Sequence, residues 1–396
     1  MRGSRKYQEA PTGGRATRLL PAELREVARV SLKLGCLAFG GPAAHIALLR
    51  EEVVVRRRWL SEQEFLDLLG VTNLIPGPNS TEMVLHCGYR RAGWPGFLLS
   101  GTLFIVPAAT LVLLLAWMYS RWGALPEATW LLSGVQPVLL AVIGQAIWSL
   151  SRIAVRQVSH FVLSLATFVL YLAGVHELLL LAGAALISLM LEAVRRRTFP
   201  LFGLAPFGTL PFVASPETAV PISLTHLFFT FLKIGSVLYG SGYVLFAFLR
   251  RDFVERLGWL SDHQLLDAMA VGQITPGPVF TTATFVGYLV AGLPGALLAT
   301  VAIFLPAFVF VAAIRPLAPQ LRRSPWLSSL LDGLNVAAVA LMAGVLWQLA
   351  RIAVGDLLTA VLALSAWLAL VRFRVNPAWL LIVGGSIGFL RHSLFG

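Results

Sequence analysis

Charge is scarce in this chain, and that scarcity is the first constraint on what the protein can be. Of 396 residues only 13% are Asp, Glu, Lys or Arg, against 57% apolar residues and a mean hydropathy of +0.79. Soluble domains carry roughly 25% charged residues, so a water-soluble globule is excluded. Cysteine is scarce too: Cys36 and Cys87, both deep in apolar sequence, suggest neither a disulfide framework nor a metal cluster. Residues 1–22 are polar and Arg-rich with no apolar core, which excludes a cleaved signal peptide and reads as a cytosolic arm. Acidic residues are outnumbered by 31 Lys and Arg to 19, a formal net charge of +12. That surplus gathers at segment ends, as in Arg56, Arg57 and Arg58 or Arg195, Arg196 and Arg197, where membrane anchoring explains it. No soluble basic domain with groove-reading elements accompanies it, so nucleic acid is not an expected partner.

What is present is apolar sequence in long runs. A spanning helix needs about 20 apolar residues, and charge-poor runs of that order cover 95–120, 129–150, 158–175, 177–194, 294–314, 328–350, 357–371 and 377–390. The expected fold is an all-α polytopic membrane protein with the lipid bilayer as its solvent.

The chain also repeats itself. Shifted by 200 positions, Leu32-Lys33-Leu34-Gly35 falls on Leu232-Lys233-Ile234-Gly235, Trp59-Leu60-Ser61 on Trp259-Leu260-Ser261, Asp67 on Asp267, and Pro76-Gly77-Pro78 on Pro276-Gly277-Pro278. After a one-residue slip Pro95-Gly96, Pro107, Trp148 and Arg152 fall on Pro294-Gly295, Pro306, Trp347 and Arg351. Loop charges alternate with opposite phase in the two halves. Basic residues at 90–91, 152–156 and 195–197 mark one face, whereas the loop at 291–294 is uncharged and 315–323 holds Arg315, Arg322 and Arg323. Because cytoplasmic loops carry the Lys/Arg excess, the halves are expected to be inverted. Inversion needs an odd crossing between them, supplied by the charge-free stretch 198–216. The expected organisation is a basic arm 1–24, a first repeat 25–197, a connecting segment 198–220 and an inverted second repeat 221–396, with about 12 to 13 membrane segments. Parallel repeats with an even count are the alternative.

Each repeat contains two interrupted segments. The first breaks at Gly40-Gly41-Pro42 and at Gly240-Ser241-Gly242; the second breaks at Pro76-Gly77-Pro78 and Pro276-Gly277-Pro278. Proline removes a donor and glycine permits the turn. Non-helical backbone survives at membrane depth only inside protein or beside a watery cavity. A helix that restarts there presents free N–H groups and a positive dipole end, a ready anion site. Duplicated broken helices are the pattern of secondary transporters, whose sites lie between the repeats. Candidate binding residues are therefore Gly40, Gly41, Gly77, Asn79, Ser80, Thr81, Gly240, Ser241, Gly242, Gly277, Thr281 and Thr282. A lone Gly/Pro kink would only set packing; recurrence in both halves argues for a site.

Lys33 and Lys233 share one repeat position before the first break. Each either snorkels to the interface or supplies one of two cations for a divalent oxyanion. Asp67 and Asp267 recur as well and read as partners of local arginines, as coupling or gating groups, or as a carboxylate dyad. Glu82 and His86, four residues apart on one helix face, face Thr282 and Val286 in the repeat, and His45 follows the first break. These three read as coupling or gating groups, or as satisfied polar residues. No cofactor, metal-ligand set, phosphate loop or oriented nucleophile is apparent.

The residues that carry a resemblance are Phe39-Gly40-Gly41-Pro42-Ala43-Ala44-His45-Ile46, Asn73-Leu74-Ile75-Pro76-Gly77-Pro78-Asn79-Ser80-Thr81-Glu82-Met83, Gly88-Tyr89-Arg90-Arg91-Ala92-Gly93 and Thr275-Pro276-Gly277-Pro278-Val279-Phe280-Thr281-Thr282. With these motifs in order over about residues 25 to 392, the chain resembles a two-domain member of the chromate ion transporter family. The second half departs from it at Gly240-Ser241-Gly242, where the first half has Gly-Gly-Pro. The resemblance implies an inner-membrane secondary transporter that expels chromate and confers chromate resistance; rocking of the repeats is the expected means of alternating access. Sulfate or another tetrahedral oxyanion is the alternative substrate, and sulfate also a competitor or exchange partner. An intramembrane enzyme built on an Asp67/Asp267 dyad is the alternative of another class, a passive anion channel a third. A second copy of the chain is a further partner to test.

Overall fold

In the computed structural model the described residues are 21–39, 41–123, 126–196, 221–239, 242–315, 325–373 and 375–395, and all regular structure among them is helical. Residues 1–20 of the expected arm 1–24 and the connecting segment 198–220 lie outside them, and residues 21–24 begin the first helix. The first half runs α1 (Pro21–Leu37), α2 (Gly41–Arg50) with a wide turn Glu51–Arg56, α3 (Glu62–Thr72), α4 (Asn79–Trp122), α5 (Pro126–Ala154), α6 (Val158–Leu172) and α7 (Glu177–Arg196). The second half repeats this order: α8 (Leu224–Val237), α9 (Leu245–Leu249) with a wide turn Arg250–Arg256, α10 (Asp262–Ile274), α11 (Thr282–Ile314), α12 (Pro325–Ala353), α13 (Leu357–Phe373) and α14 (Pro377–Phe395). Seven of the eight apolar runs fall within helices, and the run 158–175 extends three residues past α6. Five helical stretches are long and apolar enough to cross a membrane: Asn79–Trp122, Thr129–Ala154, Glu177–Arg196, Val279–Ile314 and Trp326–Ala353.

Two of these are not straight rods. At Ala92 (φ −139°) and Gly93 (φ 60°, ψ −150°), and again at Ala291 (φ −143°) and Gly292 (φ 62°), the backbone leaves the helical region. A Cβ on Gly88 would lie 2.5 Å from the Gly96 carbonyl oxygen, and one on Gly287 2.4 Å from that of Gly295. Eight residues span about 12 Å along a straight helix, so the chain folds back on itself at both places. The first arms, 79–91 and 282–290, are short; the returning arms carry the apolar runs that begin at Pro95 and Pro294.

The recurring Trp-Leu-Ser motif is a turn and a cap. The Trp59 N–H donates to the Val53 carbonyl at 2.7 Å and the Trp259 N–H to that of Phe253 at 2.9 Å. Ser61 and Ser261 then cap α3 and α10 in reciprocal hydrogen-bonded boxes with Glu64 and Gln264. Each cap satisfies N–H groups that a helix start leaves without partners.

The helices sort into two bundles, and neither coincides with a half of the sequence. In one, α1 packs along α4, α8 along α11, and α4 meets α11. In the other, α5 packs against α13 and α14, α12 against α6 and α7, and α5 meets α12. Exchanging the halves maps each set of contacts onto itself. The second bundle closes on small residues: a Cβ at Gly134 would sit 2.0 Å from the Gly384 carbonyl oxygen, and one at Gly333 2.5 Å from that of Ala184. Lipid supplies no hydrophobic drive between helices, so close approach and dispersion hold such contacts. Outward faces stay apolar, with Leu98, Phe161, Val162, Leu165, Met190, Val301, Leu364 and Leu368 more than half exposed.

Adding a methyl at these contacts should destabilise the protein. Gly134→Ala and Gly333→Ala are expected to cost about 1–3 kcal/mol each by overpacking, read as lowered melting temperatures of the detergent-purified protein. Gly183→Ala, where a Cβ meets nothing within 4 Å, should leave melting unchanged.

Candidate functional site

The Pro-Gly-Pro breaks pair across the two halves. The Gly77 N–H donates to the Leu238 carbonyl at 2.8 Å, and in return the Gly277 N–H donates to the Ala38 carbonyl at 3.0 Å. Each half's Pro-Gly-Pro break thus satisfies the end of α1 or α8 in the other half. Gly77 (φ 138°) and Gly277 (φ 86°) adopt backbone conformations that L side chains rarely enter. Space is as restrictive as conformation: a Cβ on Gly277 would lie 2.6 Å from that of Ala108, and one on Gly77 2.3 Å from Glu82 Oε1. Gly35 and Gly235 allow the approach, since a Cβ there would lie 2.8 Å from the Phe104 carbonyl oxygen and 2.4 Å from that of Ile303.

Around these contacts the sequence-predicted residues divide. Gly41 opens α2 with φ 77°, and buried Gly242 opens a short turn against Val279 and Phe280. Gly40, Gly240 and Ser241 lie outside the described residues. Asn79 donates to Asn73 Oδ1 at 2.8 Å, tying the restarted helix to the end of α3. Ser80 and Thr81 are buried, and the Thr81 hydroxyl has no hydrogen-bond partner. Thr281 and Thr282 instead donate to the Pro278 and Val279 carbonyls of their own turn at 2.9 and 2.8 Å. The polar capacity left uncommitted is therefore concentrated in the first half.

Glu82 is wholly buried, neither of its oxygens has a hydrogen-bond partner, and it lies against Gly77. His86, one turn further on, is buried with Nε2 unpartnered. It lines a small cavity with Tyr89, Trp94, Phe97, Val311 and Arg315. His45 Nε2 lies 3.0 Å from the Ala38 carbonyl that also accepts from Gly277, so its ring buttresses the cross-half contact. Gln273, two residues before Thr275, is buried with Nε2 unpartnered. Sequence reasoning passed over it, although Asn73 at the same repeat position is also an amide.

Lys33 and Lys233 do not stand alone. Lys33 Nζ lies 2.6 Å from Glu52 Oε1, and Lys233 Nζ 2.6 Å from Asp252 Oδ2; both carboxylates are buried. Arg57 lies 3.2 Å from Glu52, and Arg256 3.1 Å from Asp252. Arg50 with Glu62 and Arg250 with Asp262 form a second recurring pair at 2.6 and 2.8 Å. The signal missed in the sequence was an acidic residue at 52 and 252, hidden in arginine clusters that read as anchors. Asp67 is half-buried and accepts from Gln63 at 3.1 Å. Asp267 is buried and accepts from Tyr119 Oη and Gln136 Nε2, each at 2.9 Å. The two aspartates thus occupy different surroundings, and both Asp267 oxygens are already engaged.

A family model described as chromate transporter matches residues 25–189 and, a second time, residues 225–389. The chain belongs to the chromate transporter family. It is 32% identical over 350 residues to a probable chromate transport protein of Synechococcus elongatus, covering 87% of this chain and 88% of that one. A chromate transport protein of Cupriavidus metallidurans is 31% identical over 381 residues, 94% of each chain. One of Pseudomonas aeruginosa is 30% identical over 378 residues, 91% of this chain and 90% of that one. No solved structure matches. Membership makes the chain a transport protein and not an enzyme, so the aspartate dyad has no reaction to serve.

The lysine pairs separate binding from scaffolding. Lys33→Gln is expected to cost about 1–2 kcal/mol, discounted for the half-exposed lysine, because Arg57 still faces Glu52. If the lysine serves the fold, Lys33→Gln with Glu52→Gln recovers both melting temperature and transport; if it binds substrate, only melting recovers.

Proposed function

We propose that the protein is a secondary carrier that exports chromate across the cytoplasmic membrane and so confers chromate resistance. The observation that carries this reading is the exchanged pair of hydrogen bonds, Gly77 to Leu238 and Gly277 to Ala38, which gathers four helix breaks between the two halves. A helix that restarts at such a break presents N–H donors and a positive dipole end that can hold a tetrahedral dianion. The binding set is Gly41, Gly77, Asn79, Ser80, Thr81, Gly242, Gly277, Thr281 and Thr282, together with Gly40, Gly240, Ser241 and the two lysines. His45, Asp67, Glu82, His86 and Asp267 are the coupling and gating groups. The names of three relatives support chromate as the substrate; sulfate is its competitor and the alternative cargo.

Alternating access arises from movement of the broken-helix bundle against the bundle of α5–α7 and α12–α14. Polar contacts span that boundary: Asp267 with Gln136, Arg250 with Gln348 at 2.7 Å, and Arg251 with Glu177 at 3.4 Å. The opposite loop-charge phase supports inverted halves with the N-terminus in the cytosol. Moving two negative charges out of a cell with a negative interior is favourable by about 2.3 kcal/mol per charge per 100 mV. The membrane potential therefore favours export, and exchange with a proton or another anion is an alternative driving force.

Energised, chromate-loaded cells expressing the protein should retain less chromate than controls, and excess sulfate should slow the loss. Gly77→Ala and Gly277→Ala, at matched membrane levels, should lower efflux at least tenfold, because each breaks a cross-half contact. Unchanged internal chromate with the wild-type protein would sink the substrate assignment.

A further inference from the structure

Among the described residues one carboxyl lies against the breaks without a partner, and it is in the first half. Glu82 is fully buried, one turn into the helix that restarts at Asn79, and its own N–H is taken by the Pro78 carbonyl at 3.1 Å. The three N–H groups before it have no acceptor within a helix. Among the described residues neither carboxyl oxygen has a hydrogen bond or ion pair, and Oε1 lies 2.3 Å from where a Cβ on Gly77 would stand. The side chain is turned back along the break proposed as half of the oxyanion site. The second half has Thr282 at this position, its hydroxyl spent on Val279.

The other polar groups around it leave the carboxyl unsupported. The Tyr239 phenol of the second half points its hydroxyl to the Leu74 carbonyl at 3.4 Å. On its own helix His86 turns toward the cavity lined by Arg315, and from α2 His45 is committed to Ala38. Gln273 on α10 offers an uncommitted amide that makes no hydrogen bond to it. From α11 the neighbour across Gly77 is the methyl of Ala307.

We infer that Glu82 is a tethered competitor for the oxyanion, and that each oxyanion binds together with one proton taken up by Glu82. A carboxylate without donors is poorly tolerated in a dry site, and a dianion arriving beside it adds repulsion that water does not screen. Charged Glu82 and bound dianion therefore exclude one another. A proton from the water on the entry side converts the carboxylate to the neutral acid, which leaves the helix start to the substrate. Linkage makes the effect reciprocal: the oxyanion strengthens proton binding by the factor by which the proton strengthens oxyanion binding. As pH rises and Glu82 ionises, oxyanion affinity falls, by at most tenfold per pH unit. The inference rests on the breaks being the oxyanion site.

Calorimetric titration of the full-length, detergent-purified protein with chromate tests it, run from pH 6 to 9 in buffers of different ionisation enthalpy. For the wild type the expected result is weakening affinity with rising pH and uptake of up to one proton per anion. Glu82→Gln should flatten that pH dependence, abolish the uptake, and bind chromate more tightly than the wild type at pH 9. Chromate's own protonation is common to both proteins and cancels in the comparison. Glu82→Asp, which retains the acid, should restore the slope, and it serves as the comparator if the glutamine variant does not fold. A Glu82→Gln protein with the wild-type slope and proton count overturns the inference, as does wild-type binding without proton uptake. A wild type that binds no chromate at any pH overturns the oxyanion reading of the breaks, and this inference with it.

Discussion

Backbone polar groups in a membrane interior must find partners within the protein, and the rest of this structure depends on how four helix breaks meet that requirement. Each break frees N–H and carbonyl groups that water cannot reach. The solution is an exchange: Gly77 donates to Leu238, and Gly277 donates to Ala38. Glycine is needed at both donors, because the backbone is left-handed there and a Cβ would strike Glu82 or Ala108. Since each half supplies what the other lacks, the centre is complete only when both are folded together. The place best provided with free donors is thereby also the place where the halves touch.

The two halves agree in their scaffolding and differ in their chemistry. Ion pairs at 33/52 and 233/252, caps at Ser61 and Ser261, and reversals at Gly93 and Gly292 recur almost without change. Each answers a local demand that both halves share: a buried carboxylate needs a cation, a helix start needs an acceptor, and a tight reversal needs a residue without Cβ. By contrast Glu82, His86 and His45 stand opposite Thr282, Val286 and Leu245, and Asp267 is buried where Asp67 is half-exposed. The scaffold is thus symmetric, while the titratable groups it holds are not.

The division into bundles has consequences of its own. Because α6 and α7 lie on α12 while α13 and α14 lie on α5, the last three helices of both halves form one body and the broken helices another. Glycines such as Gly134 and Gly384 bring helix backbones of the first of these into close approach. The boundary between the bundles carries a few polar pairs, including Asp267 with Gln136.

Much of this was readable before any coordinates. Low charge, long apolar runs and the duplicated Gly/Pro motifs determined a helical membrane protein, the positions of its helices and the four breaks, because chain stiffness and the bilayer's demand for backbone pairing act locally on sequence. Lys33 and Lys233 show where local reading stops: their partners, nineteen residues away on the other arm of a hairpin, are set by the path of the chain. Only the tertiary structure decided that the breaks of opposite halves bond to one another, that His45 supports the contact and that Glu82 is left without a donor. It alone also sorted the helices into bundles that cut across the repeat. These outcomes depend on which buried groups come within three ångströms of each other in space, a distance that spacing along the chain does not encode.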